Sequence, residues 1–237
     1  MPSHLPFHWR GHRLELLGAK AAFDPAQGLL LLADLHLGKA ETFQAHGIPL
    51  PSDGDRATLN ALLALAHHWR PREVVVLGDL IHSRLGLTAE LRQTLAALPS
   101  LLGCPLSLVG GNHETGSWLE GLPQQASGAR GPLWLSHSPE QPPAAAGEQL
   151  NICGHLHPVA LIGSGSDRLR LPCFSYGEDT SLLVLPSFGH LTGGHPCDDR
   201  SAQWLVVEGS ILPWHGGGSP VGAPRPRRQG HAPHHRG

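Results

Sequence analysis

Charged side chains are scarce in this sequence, at 15% of 237 residues against roughly 25% in an average soluble domain. No apolar run approaches the roughly 18 residues of a membrane span, and Met1 to Arg13 lacks the apolar core of a signal peptide. The expectation is a cytoplasmic protein with no membrane partner. The four cysteines, Cys104, Cys153, Cys173 and Cys197, form no C-x-x-C, which argues against a zinc knuckle or a thioredoxin-like redox pair and leaves reduced structural thiols. G-x-S-x-G is absent too, which disfavours a serine hydrolase. A wide basic face is also missing: 17 Lys and Arg stand against 19 Asp and Glu, and four of the arginines lie in 216–237. The remaining body has 13 cations against 19 acids, a net −6, which does not suit a protein that coats duplex nucleic acid by neutralising its phosphates.

What is present is punctuation: 30 glycines and 22 prolines cut the chain into short segments. The stretch 216–237, rich in Arg, Gly and Pro with Val221 as its one sizeable apolar side chain, reads as a disordered, dispensable tail after a single domain at 1–215. In that domain, apolar runs of strand length at Leu29 to Ala33, Val74 to Leu77 and Leu106 to Val109 alternate with helical patterns at Arg56 to Trp69 and Thr88 to Leu98. Thr88 is placed as a helix N-cap. The second half offers further strands at Leu133 to Leu135, Leu150 to Cys153, Val159 to Ile162, Leu169 to Cys173, Ser181 to Leu185 and Trp204 to Val207.

Each apolar run ends in groups that bind metals. Leu29 to Ala33 delivers Asp34 and His36; Val74 to Leu77 delivers Gly78 and Asp79; Leu106 to Val109 delivers Asn112, His113 and Glu114. In open α/β sheets ligands bind beyond the carboxyl ends of the strands, so three strands aim at one place. Asp34 and His36 are two apart, so in extended geometry both side chains emerge on one side and can chelate one ion; His155 and His157 repeat the spacing, and His137 follows another strand. Oxygen and imidazole donors without thiolate favour Mn, Fe or Zn. Any one such pair arises readily by chance among 18 histidines; five clusters, each at a strand end, do not.

Asp34-x-His36, Gly78-Asp79, Gly111-Asn112-His113-Glu114, His137 and Gly154-His155-Leu156-His157 resemble the signature of the calcineurin-like metallophosphoesterases. The resemblance implies a four-layer α-β-β-α sandwich with two mixed sheets. It also implies two divalent metals, one held by Asp34, His36, Asp79 and His157, the other by Asp79, Asn112, His137 and His155, with Asp79 bridging. The runs LADLHLGKAETFQAHGIPLP, LGDLIHSR, CGHLHP, RLPCF and LPSFGHLTGG resemble, more narrowly, the bacterial ligase-associated DNA damage response endonucleases, the PdeM group. That likeness implies a manganese-dependent phosphodiesterase acting on DNA or RNA in repair, associated with an ATP-dependent DNA ligase, a helicase and an exonuclease. One departure is Glu114, where the family's pattern has Asp.

The expected chemistry is two-metal hydrolysis, in which a shared hydroxide attacks phosphorus and His113 acts as general acid toward the leaving oxygen. Asp79 and Asn112 belong to the same catalytic group. In protein phosphatases of this superfamily an Asp three residues after the bridging Asp orients that histidine; here the place is taken by His82, which leaves His113's partner open, with Glu114 a candidate. Lys39 and Arg84 are candidates for a flanking phosphate of the substrate. Thr192, Gly193 and Gly194 read as a turn without chemistry. The competing readings are a phosphomonoesterase or 2',3'-cyclic nucleotide phosphodiesterase, and a non-enzymatic docking subunit of a ligase/helicase complex.

Overall fold

The structure is a computed structural model and describes residues 3–114, 122, 124–164, 167–198, 200–215 and 219–220. The expected tail at 216–237 lies almost wholly outside the described residues.

Two mixed sheets face each other. The chain opens with an antiparallel meander, β1 (His4–Trp9), β2 (His12–Leu17) and β3 (Ala21–Asp24), which pairs with β4 (Leu29–Leu32). Then come α1 (Lys39–Ala45), α2 (Gly54–Trp69), β5 (Glu73–Leu77), α3 (Ala89–Leu102), β6 (Leu106–Val109) and β7 (Gln124–Gln125). In the first sheet the strands lie in chain order, and β4, β5 and β6 are parallel, so their carboxyl ends share one edge. The second sheet starts from β8 (Gly128–Arg130), β9 (Leu133–Leu135) and β10 (Leu150–Cys153), continues through β11 (Pro158–Ser164), β12 (Asp167–Gly177) and β13 (Leu182–Val184), and ends with β14 (His195–Pro196), β15 (Ala202–Val207), β16 (Ser210–His215) and β17 (Ser219–Pro220). Here β9, β10 and β13 are parallel neighbours, so His137 and His155 leave a common edge as well.

The two-residue side-chain period of a strand sorts the apolar runs onto two faces. Leu30, Leu32, Val74 and Val76 face the helices and pack with Leu62, Leu65 and Leu95. Leu29, Leu31, Val75 and Leu77 face the second sheet and meet Leu135, Ile152 and Phe174. Thr88 caps α3 by accepting a hydrogen bond from the Leu91 N–H at 3.1 Å, and Gly103 closes it in a left-handed conformation. The mixed α/β class with two mixed sheets is therefore as the sequence indicates. The helical layer expected over the second sheet is not among the described residues; strands β11 and β14 cover that face, above a small cluster of Ala160, Cys173 and Leu205. There the Cys173 and Cys197 sulfurs lie 3.2 Å apart. No described helix is long and apolar enough to cross a membrane.

Asp55, in the first turn of α2, accepts a 2.6 Å hydrogen bond from the Gly38 N–H that precedes α1, and so ties these two helices together. Burial raises its pKa to about 6, with Glu41 adding to the rise and the Gly38 hydrogen bond opposing it. A carboxyl whose folded pKa is raised contributes stability that is fully present below its unfolded pKa and is lost as pH rises through the folded value. Asp55→Asn keeps an acceptor for Gly38 and carries no charge. Its melting temperature should exceed the wild-type value at pH 7.5, converge with it on acidification through pH 6, and match it near pH 4. A lower melting temperature at pH 7.5 would show that the ionised hydrogen bond outweighs the burial penalty.

Candidate metal centre

Beyond the ends of β4 and β5 the backbone stays laced together. The Asp34 N–H donates to the Gly78 carbonyl at 3.2 Å, His36 to Asp79 at 2.9 Å, Leu37 to Leu80 at 2.9 Å, and His82 back to Leu37 at 2.8 Å. Within this lacing the side chains are thrown inward by an uncommon backbone conformation. Asp34, His36, Asp79, His155 and His157 all have positive φ, between 43° and 65°. Non-glycine residues seldom adopt it, and each case costs about 1–3 kcal/mol. The extended geometry expected for the Asp34/His36 and His155/His157 pairs is thus corrected: the side chains converge because left-handed kinks follow the strands, not because a strand continues.

Three groups of donor atoms result, each within 4.8 Å: Asp34, His36 and His157; Asp79, His137 and His155; and His36, His82 and His113. The Asp79 carboxylate, 3% exposed, faces the first two, with Oδ2 3.8 Å from His36 Nε2 and Oδ1 3.5 Å from His137 Nε2. His157 Nε2 lies 3.5 Å from Asp34 Oδ1 and 3.4 Å from His36 Nε2. His137 is the informative ring. Its Nδ1 is 3.0 Å from the Leu77 carbonyl, which can only accept, so Nδ1 carries the proton and Nε2 presents a lone pair. That lone pair faces Asn112 Oδ1 at 2.8 Å and His155 Nδ1 at 3.0 Å. His36 is held neutral, its pKa driven down to about 2 by burial first and then by repulsion from His157, His113, His82 and Lys39. Imidazole nitrogens and carboxylate oxygens converging at these distances fit divalent cations.

Glu114 is 2% exposed, and its carboxylate accepts from the N–H groups of Asp79 at 2.9 Å, Ile81 at 3.1 Å and Gly111 at 3.0 Å. Burial raises its pKa, against those three hydrogen bonds. Glu114 therefore clamps the β5 and β6 loops and is not the orienting partner of His113. That partner is the His82 carbonyl, which His113 Nδ1 contacts, while the His113 N–H donates to Asp79 Oδ1 at 3.1 Å. The ring of His82 stacks between Phe43 and His113. Its place three residues after Asp79 is the sequence signal for it, although it is the backbone carbonyl and not the side chain that holds His113.

Of the two cations proposed for substrate, Lys39 opens α1 near enough to lower the pKa of both His36 and His82. Arg84 is exposed, in the turn Arg84–Gly86, and its side chain makes no polar contact among the described residues. Two motif glycines are required by close approach: a Cβ at Gly78, whose φ is +80°, would overlap the His137 ring, and one at Gly154 would overlap Ala33 and crowd Asp34 Oδ2.

A family model described as calcineurin-like phosphoesterase matches residues 29–224. Among solved structures, the Pseudomonas putida nuclease MPE is 27% identical with a TM-score of 0.72, over 90% of this chain and 100% of that one. Yfce, a phosphoesterase from E. coli, is 18% identical with a TM-score of 0.42, over 76% of this chain and 88% of that one. No curated protein sequence matches the chain.

Whether these clusters hold metal is tested by Gly78→Ala, which displaces His137 without removing a donor. Affinity for Mn²⁺, measured by calorimetry, should fall about 10–100-fold, the usual effect of disturbing a ligand's support. Unaltered affinity would place the metal elsewhere.

Proposed function

Because the chain belongs to the calcineurin-like phosphoesterase family, a family of metal-dependent enzymes, we propose that it is a two-metal, manganese-dependent phosphodiesterase that cleaves nucleic acid in DNA repair. The observation that carries this reading is the Asp79 carboxylate set between two donor groups, one oxygen toward each. The choice of a nucleic acid draws on the 27% identity to a nuclease over nearly the whole chain. Asp34, His36, Asp79 and His157 would hold one cation, and Asp79, Asn112, His137 and His155 the other. When bound, such a pair supplies a water acidified toward neutrality and cancels charge on the phosphoryl oxygens. Manganese suits an oxygen and imidazole donor set in which the nearby Cys153 thiol is kept protonated by burial. The repair role, and a ligase, helicase and exonuclease as partners, rest on the motif resemblance alone.

The chain's own part in the reaction centres on His113. With Nδ1–H anchored on the His82 carbonyl, the ring presents Nε2 above Asp79 at 3.8 Å, and that side chain is 30% exposed, open to an incoming diester. A proton on Nε2 is then placed for the departing sugar oxygen, which leaves poorly as an alkoxide. Lys39 adds positive charge beside the phosphate, and its own pKa is lowered by burial.

The test compares leaving groups. Mn²⁺-loaded protein should cleave a single-stranded oligonucleotide and bis-p-nitrophenyl phosphate, and should prefer the latter to p-nitrophenyl phosphate. His113→Ala should lower oligonucleotide cleavage about 10²–10⁴-fold. It should affect the p-nitrophenyl diester far less, because that leaving group departs as a stable phenolate without a proton. Equal losses would make His113 a binding or ligand residue, and preference for the monoester would make the protein a phosphatase.

A further inference from the structure

Two motifs that the metal centre does not use, RLPCF and LPSFGHLTGG, converge on one pocket of about 220 Å³ against His157. Lys20 from the β2–β3 turn, Arg170 and His190 line it, with Thr192, and among the described residues no acidic side chain does. Lys20 and Arg170 are each anchored. Lys20 Nζ donates to the Phe188 carbonyl at 2.8 Å and to the Gly189 carbonyl at 3.3 Å, which leaves its third N–H without a partner among the described residues. Arg170 donates to the Gly194 carbonyl. Thr192 Oγ1 is buried and has no hydrogen-bond partner among the described residues. A Cβ at Gly194 would overlap Val159 and the His157 carbonyl, so the wall nearest the metal centre has to be bare backbone.

Positive groups gathered without a counter-ion repel one another. Burial and the nearby Lys20 both hold His190 below its ordinary pKa, and burial brings Lys20 itself down to about 8. An anion in the pocket relieves that repulsion. The larger cavity that shares Pro158 with it has the other sign: it is lined by His155 with Glu178, Asp179 and Asp198, and its Arg200 is already paired with Asp198. A phosphate chain crossing the centre is therefore drawn to the His157 side.

We propose that the pocket formed by Lys20, Arg170, His190 and Thr192 binds the backbone phosphate next to the scissile one, so that the enzyme selects a polynucleotide over an isolated diester. This rests on the nucleic-acid reading above and goes beyond it by naming the subsite. Thr192, Gly193 and Gly194, a mere turn in the sequence, become part of a binding wall.

The decisive comparison uses Mn²⁺-loaded wild type, an Arg170→Gln/His190→Gln double variant, and Arg170→Lys, which keeps the charge. Affinity for a hydrolysis-resistant phosphorothioate oligothymidylate is read by fluorescence anisotropy across a salt series. The double variant should bind about tenfold more weakly, with a salt slope shallower by about 0.7 for each phosphate that is no longer neutralised; Arg170→Lys should recover most of that slope. The ratio of kcat/KM for an oligonucleotide to that for bis-p-nitrophenyl phosphate should fall about tenfold in the double variant. Equal oligonucleotide affinity and salt slope in wild type and double variant would overturn the proposal. So would a double variant that loses thermal stabilisation by inorganic phosphate yet keeps its oligonucleotide affinity, because the pocket would then serve free phosphate. Pocket-dependent binding with no cleavage of any diester would sustain the subsite and sink the proposed function.

Discussion

Asp79 is a carboxylate almost sealed from solvent, and the loops around it are built to hold it between two sets of imidazoles. Its backbone N–H is bound by the buried Glu114, its side chain accepts from the His113 N–H, and its carbonyl receives the His36 N–H. An ionised carboxyl in such a place is tolerable only when opposite charge or directed hydrogen bonds compensate for lost hydration. The same residues thus position the candidate ligands and satisfy the buried carboxylate.

The site is also strained in a way that the rest of the fold resists. Five of the candidate ligands occupy left-handed backbone, a conformation that persists only where the surroundings over-determine it. Here the surroundings are a hydrogen-bonded zipper between the β4 and β5 loops, the Glu114 clamp, and the 186–190 segment. In that segment the Phe188 and Gly189 N–H groups bond to the Ala33 and Asp34 carbonyls, and Ser187 bonds to Asp34 as well. Lys20 in turn secures that segment from the first sheet. The phosphate subsite and the metal centre therefore share a wall, and a substrate chain would press on the elements that hold the ligands.

Much of this is legible in the sequence because buried parallel strands leave a plain mark. LLLL, EVVVL and LSLV are short apolar runs bounded by polar residues, and parallel pairing forces their carboxyl ends to one edge. The antiparallel meander at the start carries a different mark, Leu5, Phe7 and Trp9 alternating with His4, Pro6 and His8, which a search for continuous apolar runs passes over. Helix α1 is one short element whose N-terminus is held by Asp55, sixteen residues beyond Lys39, a contact no local pattern announces. The reading of Glu114 as a partner for His113 follows from adjacency, whereas a carboxylate at that place has three backbone donors waiting, two of them from a different loop.

By itself the sequence determined the donor inventory and the family chemistry: oxygen and nitrogen ligands at strand ends, grouped in an order that few folds use. Residue type and position relative to an apolar run are local properties, readable without a third dimension. Only the tertiary structure decided which carbonyl anchors His113, and that Lys20, Arg170 and Thr192 meet beside His157. These are contacts between segments up to about 170 residues apart, such as Lys20 with Gly189. They are set by packing one sheet on another, and nothing in the local chain records the distance that results.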